Sequence, residues 1–247
     1  CNFAPIMGLN LTIDQGNSSA KIAIWEGGNL VEQETMKELT RQHLVKMVGR
    51  FHPERALCCS VTGNGRRMAQ WLVTQGVDAR EVNFEMPLPL VIDYATPQTL
   101  GEDRIAAAVG AWSLFPGEAS LVVDMGTAVT YDVVSANGHF RGGNIAPGIG
   151  MRLRSLNSFT ARLPQVGGYG ETPLIGFDTA TAIRAGAVRG VVAEIAYYRS
   201  MLPEHSQVVL TGGWAHHVSK FLDFPVTVEK CLVTKGLLSI LLYNENK

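Results

Sequence analysis

Two short stretches of this chain carry residue types suited to holding phosphate. Asp14-Gln15-Gly16-Asn17-Ser18 and Asp124-Met125-Gly126-Thr127-Ala128 each set an aspartate two residues before a glycine, at the end of an apolar run. The glycine lets backbone N–H groups approach a phosphate, and the Asn, Ser or Thr that follows adds donors. A carboxylate at a strand end can hold a metal ion directly or through water. Two such loops facing each other across a cleft would grip a nucleotide's phosphates from both sides. Lys21 either points back toward those phosphates or faces solvent on a half-exposed strand, and its spacing leaves both open. Gly101-Glu102-Asp103-Arg104 opens a helix. Carboxylates suit the dipole of a first helical turn, yet one of them could equally be a general base, with Arg104 orienting an anionic substrate. An arginine there opposes the dipole, which favours a ligand role. Thr211-Gly212-Gly213 ends a strand. Close backbone approach at such a turn can serve an adenine or ribose, although by itself the simpler reading is a plain βα turn.

The elements that must position these residues follow from the apolar pattern. Leu9 to Ile13 alternates as a strand into the first loop, Ala20 to Trp25 forms a second strand, and Gly27-Gly28-Asn29 turns into a third. Leu44, Met47, Val48 and Phe51 mark one face of a helix. Ala56 to Val61 reads as a buried strand, Arg66 to Gln75 as a helix stopped by Gly76, Leu90 to Tyr94 as a strand, and Asp103 to Leu114 as an Ala-rich helix. The opening then recurs. Ser120 to Val123 runs into the second Asp-x-Gly loop, a strand follows to Val134, and Asn137-Gly138 signals a type I′ turn into a third strand. Strand, loop, strand, tight turn and strand thus occur twice, 110 residues apart. That separation is too long for a solenoid period and indicates two related α/β halves. Gly142 to Gly148 is expected as a loop before a helix from Ile149. Asp178 to Met201 is a long helix, Val208 to Leu210 a strand, and an apolar helix from Leu232 ends the pattern.

Composition bounds the partners. A 46% hydrophobic content excludes disorder, and a net charge of −1 supplies no general basic field for nucleic acid or an acidic membrane. No run approaches the roughly 18 apolar residues of a membrane span. Cys58 and Cys59 are neighbours on a strand and point to opposite faces, so they do not bridge, and Cys1 and Cys231 have no patterned partner. Without CxxC, a zinc or redox pair has no support, and reduced thiols in a cytosolic protein are expected. His216-His217 is the one histidine cluster, and adjacent helical residues do not share a face, so it makes no metal pair. Neither GxxxxGK[ST] nor GxGxxG occurs. Residues 1–6, ahead of Met7, read as a leader or an added remnant, too short for a signal peptide.

With these motifs in order, the sequence resembles the type III pantothenate kinases, of the sugar kinase, heat-shock chaperone and actin ATPase superfamily. The match runs through both Asp-x-Gly loops, the Gly-x-Asp-Arg motif at Gly101 to Arg104, Gly142 to Gly148, and Thr160 to Pro164, and spans about Leu9 to Leu242. The resemblance implies two similar ribonuclease-H-like halves, each a mixed sheet with flanking helices, at 7–115 and 116–247. It implies ATP-dependent phosphorylation of pantothenate, the first step of coenzyme A synthesis, with Asp103 as the base. It places Tyr94, Gly101, Glu102, Arg104 and Thr179 at the substrate. Asp14, Gln15, Gly16, Asn17, Ser18, Ser19, Ala20 and Lys21 fall to ATP, together with Gly126, Thr127, Gly212 and Gly213. Asp124 falls to a monovalent cation, potassium or ammonium, beside the Mg²⁺ that accompanies ATP. A cytoplasmic homodimer is implied, with Thr179 closing the substrate pocket across the interface, and neither nucleic acid nor membrane as partner. Adjacent helical positions point about 100° apart, so the Glu102 side chain is expected to turn away from a site that Asp103 faces. Another small-molecule kinase of the superfamily, or a nucleotide-switched actin-like regulatory protein, is the competing reading.

Overall fold

A computed structural model describes residues 8–245. The leader expected at residues 1–6 lies outside them. By packing, the chain forms two compact units. One takes the chain up to Leu114 and again from Cys231 onward, and the other is Phe115–Lys230.

In the first unit, β1 (Leu9–Gln15), β2 (Ala20–Glu26) and β3 (Asn29–Met36) form an antiparallel meander. Helix α1 (Arg41–Phe51) leads to β4 (Arg55–Ser60), which lies parallel to β1. Helix α2 (Gly65–Thr74) leads to β5 (Asp78–Glu81), parallel to β4. The strand order is β3-β2-β1-β4-β5. A two-residue strand β6 (Val91–Ile92) and helix α3 (Glu102–Leu114) follow. Leu11, Ile13, Ile22 and Ile24 of the meander pack with Leu44 and Met47 of α1 and Leu72 of α2. The alternation of the strands and the 3.6-residue stripe of α1 therefore close on one core, as their periods require.

The second unit repeats the plan. β7 (Ser120–Met125), β8 (Ala128–Val134) and β9 (His139–Pro147) form the meander. Helices α4 (Ile149–Ser158) and α5 (Thr179–Ser200) lead to β10 (Gln207–Thr211), parallel to β7, and α6 (Ala215–Ser219) leads to β11 (Thr227–Val228). The run β9-β8-β7-β10-β11 has the order and directions of β3-β2-β1-β4-β5, so the internal correspondence read from the two loops is a correspondence of sheets. Asp178 caps α5, accepting at Oδ1 from the Thr181 amide at 2.7 Å.

Four expectations change. The chain from Cys231 carries helix α7 (Leu232–Glu245), which was expected with the second half and packs instead on α3 of the first unit. Small residues permit this crossing: Gly236 lies against the Ala106 carbonyl and Gly110 against Leu232. Gly142 to Pro147 is strand, the end of β9, because it continues the ladder with Ala128 to Asp132. Of the strand expected over Leu90 to Tyr94, only Val91–Ile92 forms, and β5, too short and polar to show in the pattern, was missed. The β8–β9 hairpin is not closed by a type I′ turn. Gly138 has φ 78° while Asn137 has none of the positive φ that turn demands, and the Gly138 amide donates to Ser135 O at 2.9 Å. This is a three-residue loop with a left-handed glycine.

Candidate active site

In the first unit, the β1–β2 turn places Asp14 directly opposite Lys21. Cross-strand partners share a sheet face, so Lys21 lies beside Asp14 instead of pointing to the opposite face. Burial at the strand end pushes Asp14 up to about 6, Lys21 pulls it back, and the nearby Asp103 charge raises it further. Asp14, Lys21 and Asp103 therefore form one electrostatic cluster, although the two aspartates lie 89 positions apart in sequence. At the turn itself the Gly16 amide donates to Ser19 O at 2.9 Å, which leaves Asn17 and Ser18 as the exposed tip. Ala20 is buried beneath it.

Asp103 sits in the first turn of α3. Its carboxyl is raised, chiefly by burial, against the lowering effect of the Arg104 amide, which donates to Oδ1 at 2.8 Å, and of the Arg104 guanidinium. Arg104 is itself buried, with its guanidinium 5.7 Å from the centre of the Tyr94 ring. A Cβ on Gly101 would stand 2.5 Å from Asp103 Oδ1, so the glycine leaves the carboxylate its place.

The Glu102 side chain turns to the end of β4. Its Oε2 accepts from the Ser60 amide at 3.2 Å. Burial pushes it up to about 7, and the Asp103 charge contributes less than burial does. The Ser60 amide fixes a residue group that the motif did not reveal. Ser60 Oγ donates to Gln15 Oε1 at 2.8 Å and Thr62 Oγ1 donates to the same atom at 3.1 Å. Gln15, expected at ATP, thus directs its side-chain oxygen to the β4 end. The one signal for Ser60 is topological: it is the parallel register partner of Gln15, and ligand sites gather at the carboxyl ends of parallel strands.

A raised carboxyl binds its proton more tightly in the folded state, so Glu102 disfavours folding as pH climbs from its ordinary value of 4.5 through about 7. Glu102→Gln, which keeps an oxygen to accept from Ser60, is expected to have the higher melting temperature above pH 7. The gap should close below about pH 4.5. A difference that stays constant from pH 4 to 8 would show that the charge is not the cause.

In the second unit, Asp124 near the end of β7 is register partner to Thr130 on β8 and Thr211 on β10. Gly212 follows with φ +86°, and a Cβ on it would stand 2.5 Å from Asp124 Oδ1. The turn at Thr211 to Gly213 is therefore built against Asp124. Gly126 is exposed, and a Cβ there would meet nothing nearer than 3.7 Å, so its lack of a side chain leaves the loop open. Gly148, at the start of α4, backs the same loop and its amide donates to Thr127 O at 3.1 Å. Gly213 is exposed, and Thr179 is the exposed first residue of α5. Among the described residues, no group of three or more His, Cys, Asp or Glu is placed to hold a metal. Asp124 is thus a carboxylate against which the Gly212 backbone packs closely, and Mg²⁺ characteristically arrives with phosphate oxygens and waters.

Two mixed sheets that share a five-strand order, each with an Asp-x-Gly turn after its first strand, define the sugar kinase and actin-like ATPase fold. Solved structures agree. The chain is similar to the ROK hexokinase of Thermus thermophilus, with TM-score 0.52 at 16% identity over 97% of this chain and 100% of that one. It is also similar to the activator of 2-hydroxyisocaproyl-CoA dehydratase from Clostridium difficile with bound ADPNP, with TM-score 0.54 at 14% identity over 97% and 94%. The sequence pattern of the type III pantothenate kinases matches residues 10–200. Curated relatives under that name include one from Phocaeicola vulgatus, 41% identical over 96% of this chain and 99% of its own length. Another, from Porphyromonas gingivalis, is 38% identical over 96% and 100%. The chain belongs to the type III pantothenate kinase family.

Proposed function

We propose that this protein transfers the γ-phosphoryl group of ATP to the primary hydroxyl of pantothenate, forming 4′-phosphopantothenate and ADP, the first step of coenzyme A biosynthesis. The observation that carries the reading is Asp103: a part-buried carboxylate with a raised pKa, in the electrostatic cluster of Asp14, in a chain of this family. Phosphoryl transfer asks a protein mainly for positioning and charge neutralisation. Asp103 takes the hydroxyl proton as the oxygen approaches phosphorus. Arg104, held over Tyr94, lowers Asp103 and so keeps more of it ionised. In the first unit the turn from Asp14 through Lys21 offers donors suited to phosphate; in the second, the loop at Gly126 and Thr127 does the same and Gly212 and Gly213 are assigned to the nucleoside. Mg²⁺ arriving with the phosphates would supply charge neutralisation, and Asp14 would be the carboxylate offered to it. Asp124, beside the Gly212 backbone, would hold a monovalent cation.

A homodimer completes the reading. Leu174, Ile175 and Phe177, immediately ahead of Thr179, are 78%, 80% and 68% exposed. Apolar exposure of that extent marks an interaction surface, and a second copy seated on it would bring Thr179 to the partner's substrate. The buried free thiols Cys58 and Cys59 support a reducing, cytoplasmic setting. Among the described residues no helix is long and apolar enough to cross a membrane.

Purified protein with ATP, Mg²⁺, K⁺ and pantothenate should yield phosphopantothenate by mass. No product, with turnover of a sugar or acetate instead, would select another kinase of the fold. Nucleotide binding without turnover of any acceptor would select a switch protein. The same assay tests the cation: the rate in K⁺ should exceed that in Na⁺, and Asp124→Ala should erase the difference. Equal wild-type rates in both salts would remove Asp124 from cation binding.

A further inference from the structure

The second unit presents an aromatic stack that the phosphate and acceptor chemistry leaves unused. Tyr169 and Trp214 stack with centroids 4.6 Å apart and planes 20° from parallel. His217 meets both edge-on, at 5.2 Å from Tyr169 and 5.8 Å from Trp214. Tyr169 is 65% exposed, so aromatic surface faces solvent.

The stack is built, not incidental. A Cβ on Gly168 would fall onto the Trp214 ring, with Cζ2 at 3.0 Å, so a glycine is what lets the loop backbone lie against the indole. The loop is fastened on either side of Tyr169. Arg184 Nε donates to Gly167 O and Nη1 to Glu171 O, each at 2.9 Å, and Arg189 Nη2 donates to Thr172 O at 3.0 Å. Val166 anchors the loop's start in the core. Burial holds His217 below its ordinary pKa, which keeps the cluster uncharged at neutral pH.

Its location gives it a ligand. Trp214 directly follows Gly213, at the carboxyl end of β10, whose parallel partner β7 ends in the second Asp-x-Gly loop. Ligands of parallel strands bind at that edge. Bases stack on exposed aromatic faces with little regard to their sequence identity.

We propose that the Tyr169–Trp214 stack is the platform on which the purine ring of the nucleotide rests. The proposal rests on the reading that the turn at Gly212 and Gly213 faces the nucleoside, and it adds residues outside every motif that supports that reading. The phosphates would be held by the loops and the base by this stack, so the two parts of the nucleotide are separable in a binding experiment.

The full-length protein would be titrated by calorimetry with a non-hydrolysable ATP analogue and, separately, with inorganic tripolyphosphate, which lacks the base. Tyr169→Ala should weaken the analogue about tenfold and leave tripolyphosphate within twofold. Tyr169→Phe, which keeps the ring, should match the wild type. The platform is overturned if Tyr169→Ala binds the analogue as the wild type does, or if both ligands weaken together. It is equally overturned if the wild type binds the analogue no tighter than tripolyphosphate. Loss of self-association with nucleotide affinity intact would assign Tyr169 to an interface between copies instead. The kinase reading is judged separately: wild-type turnover of pantothenate stands whatever Tyr169 does, and a Tyr169-dependent analogue affinity stands if pantothenate is not the acceptor.

Discussion

Asp103→Asn is expected to cut phosphopantothenate formation by about 10²- to 10⁴-fold, the range that a positioned general base supplies. Asparagine is close in shape and still offers an oxygen to the Arg104 amide that now donates to Asp103, so the start of α3 should keep its geometry. What is lost is the capacity to take a proton. The nucleotide should bind at least as well as before, because the variant removes a negative charge that Asp14 senses. Product formation by mass, beside calorimetric affinity for a non-hydrolysable ATP analogue, separates the two effects. A loss of less than tenfold would reject Asp103 as the base. In the wild type the base must be ionised, and its carboxyl is raised. The rate should therefore climb with pH through that raised value, and an acid-side limb at the ordinary carboxylate pKa would contradict the burial that raises it.

The second large effect concerns stability. Gly236→Ala would push a Cβ into the Ala106 carbonyl, with the Ala106 carbon at 2.6 Å and the Gly110 amide nitrogen at 2.9 Å. These are backbone atoms of α3, so neither can swing aside, and α7 would have to lift. Overpacking of this kind costs about 1–3 kcal/mol and occasionally more. Helix propensity alone predicts the opposite sign, because alanine is favoured over glycine in a helix interior by about 1 kcal/mol. A net loss of about 2 kcal/mol corresponds to a drop of roughly 4–8 °C in melting temperature for a chain of this size. A melting temperature equal to or above that of the wild type would show that α7 does not cross α3 so closely.

The helix–helix contact also shows where reading the sequence stops. The apolar run from Leu232 declares a buried helix, but nothing in its pattern says which unit buries it. That is decided by two small residues, Gly110 and Gly236, over a hundred positions apart, meeting face to face. The meanders were legible because strand alternation and turn glycines are local signals, and so was α1, whose stripe of Leu44 and Met47 lies on the core. The β8–β9 turn was misjudged because Asn-Gly permits a type I′ turn without compelling it. The three-residue loop won because Ser135 pairs with His139 on both its amide and its hydroxyl.

The candidate site divides in the same way. By itself the sequence showed which aspartates and glycines could serve phosphate chemistry and in which order, and their resemblance to one family implied a nucleotide-dependent phosphotransfer. Those motifs are runs of adjacent residues whose function depends on neighbours in the chain. Only the tertiary structure decided that Lys21 faces Asp14, that Glu102 turns to the Ser60 amide, and that Gln15 is held by Ser60 and Thr62. It alone stacked Tyr169 on Trp214. These pairings depend on strand register and on loops packed from distant parts of the chain, and burial then sets the protonation of the carboxylates they bring together.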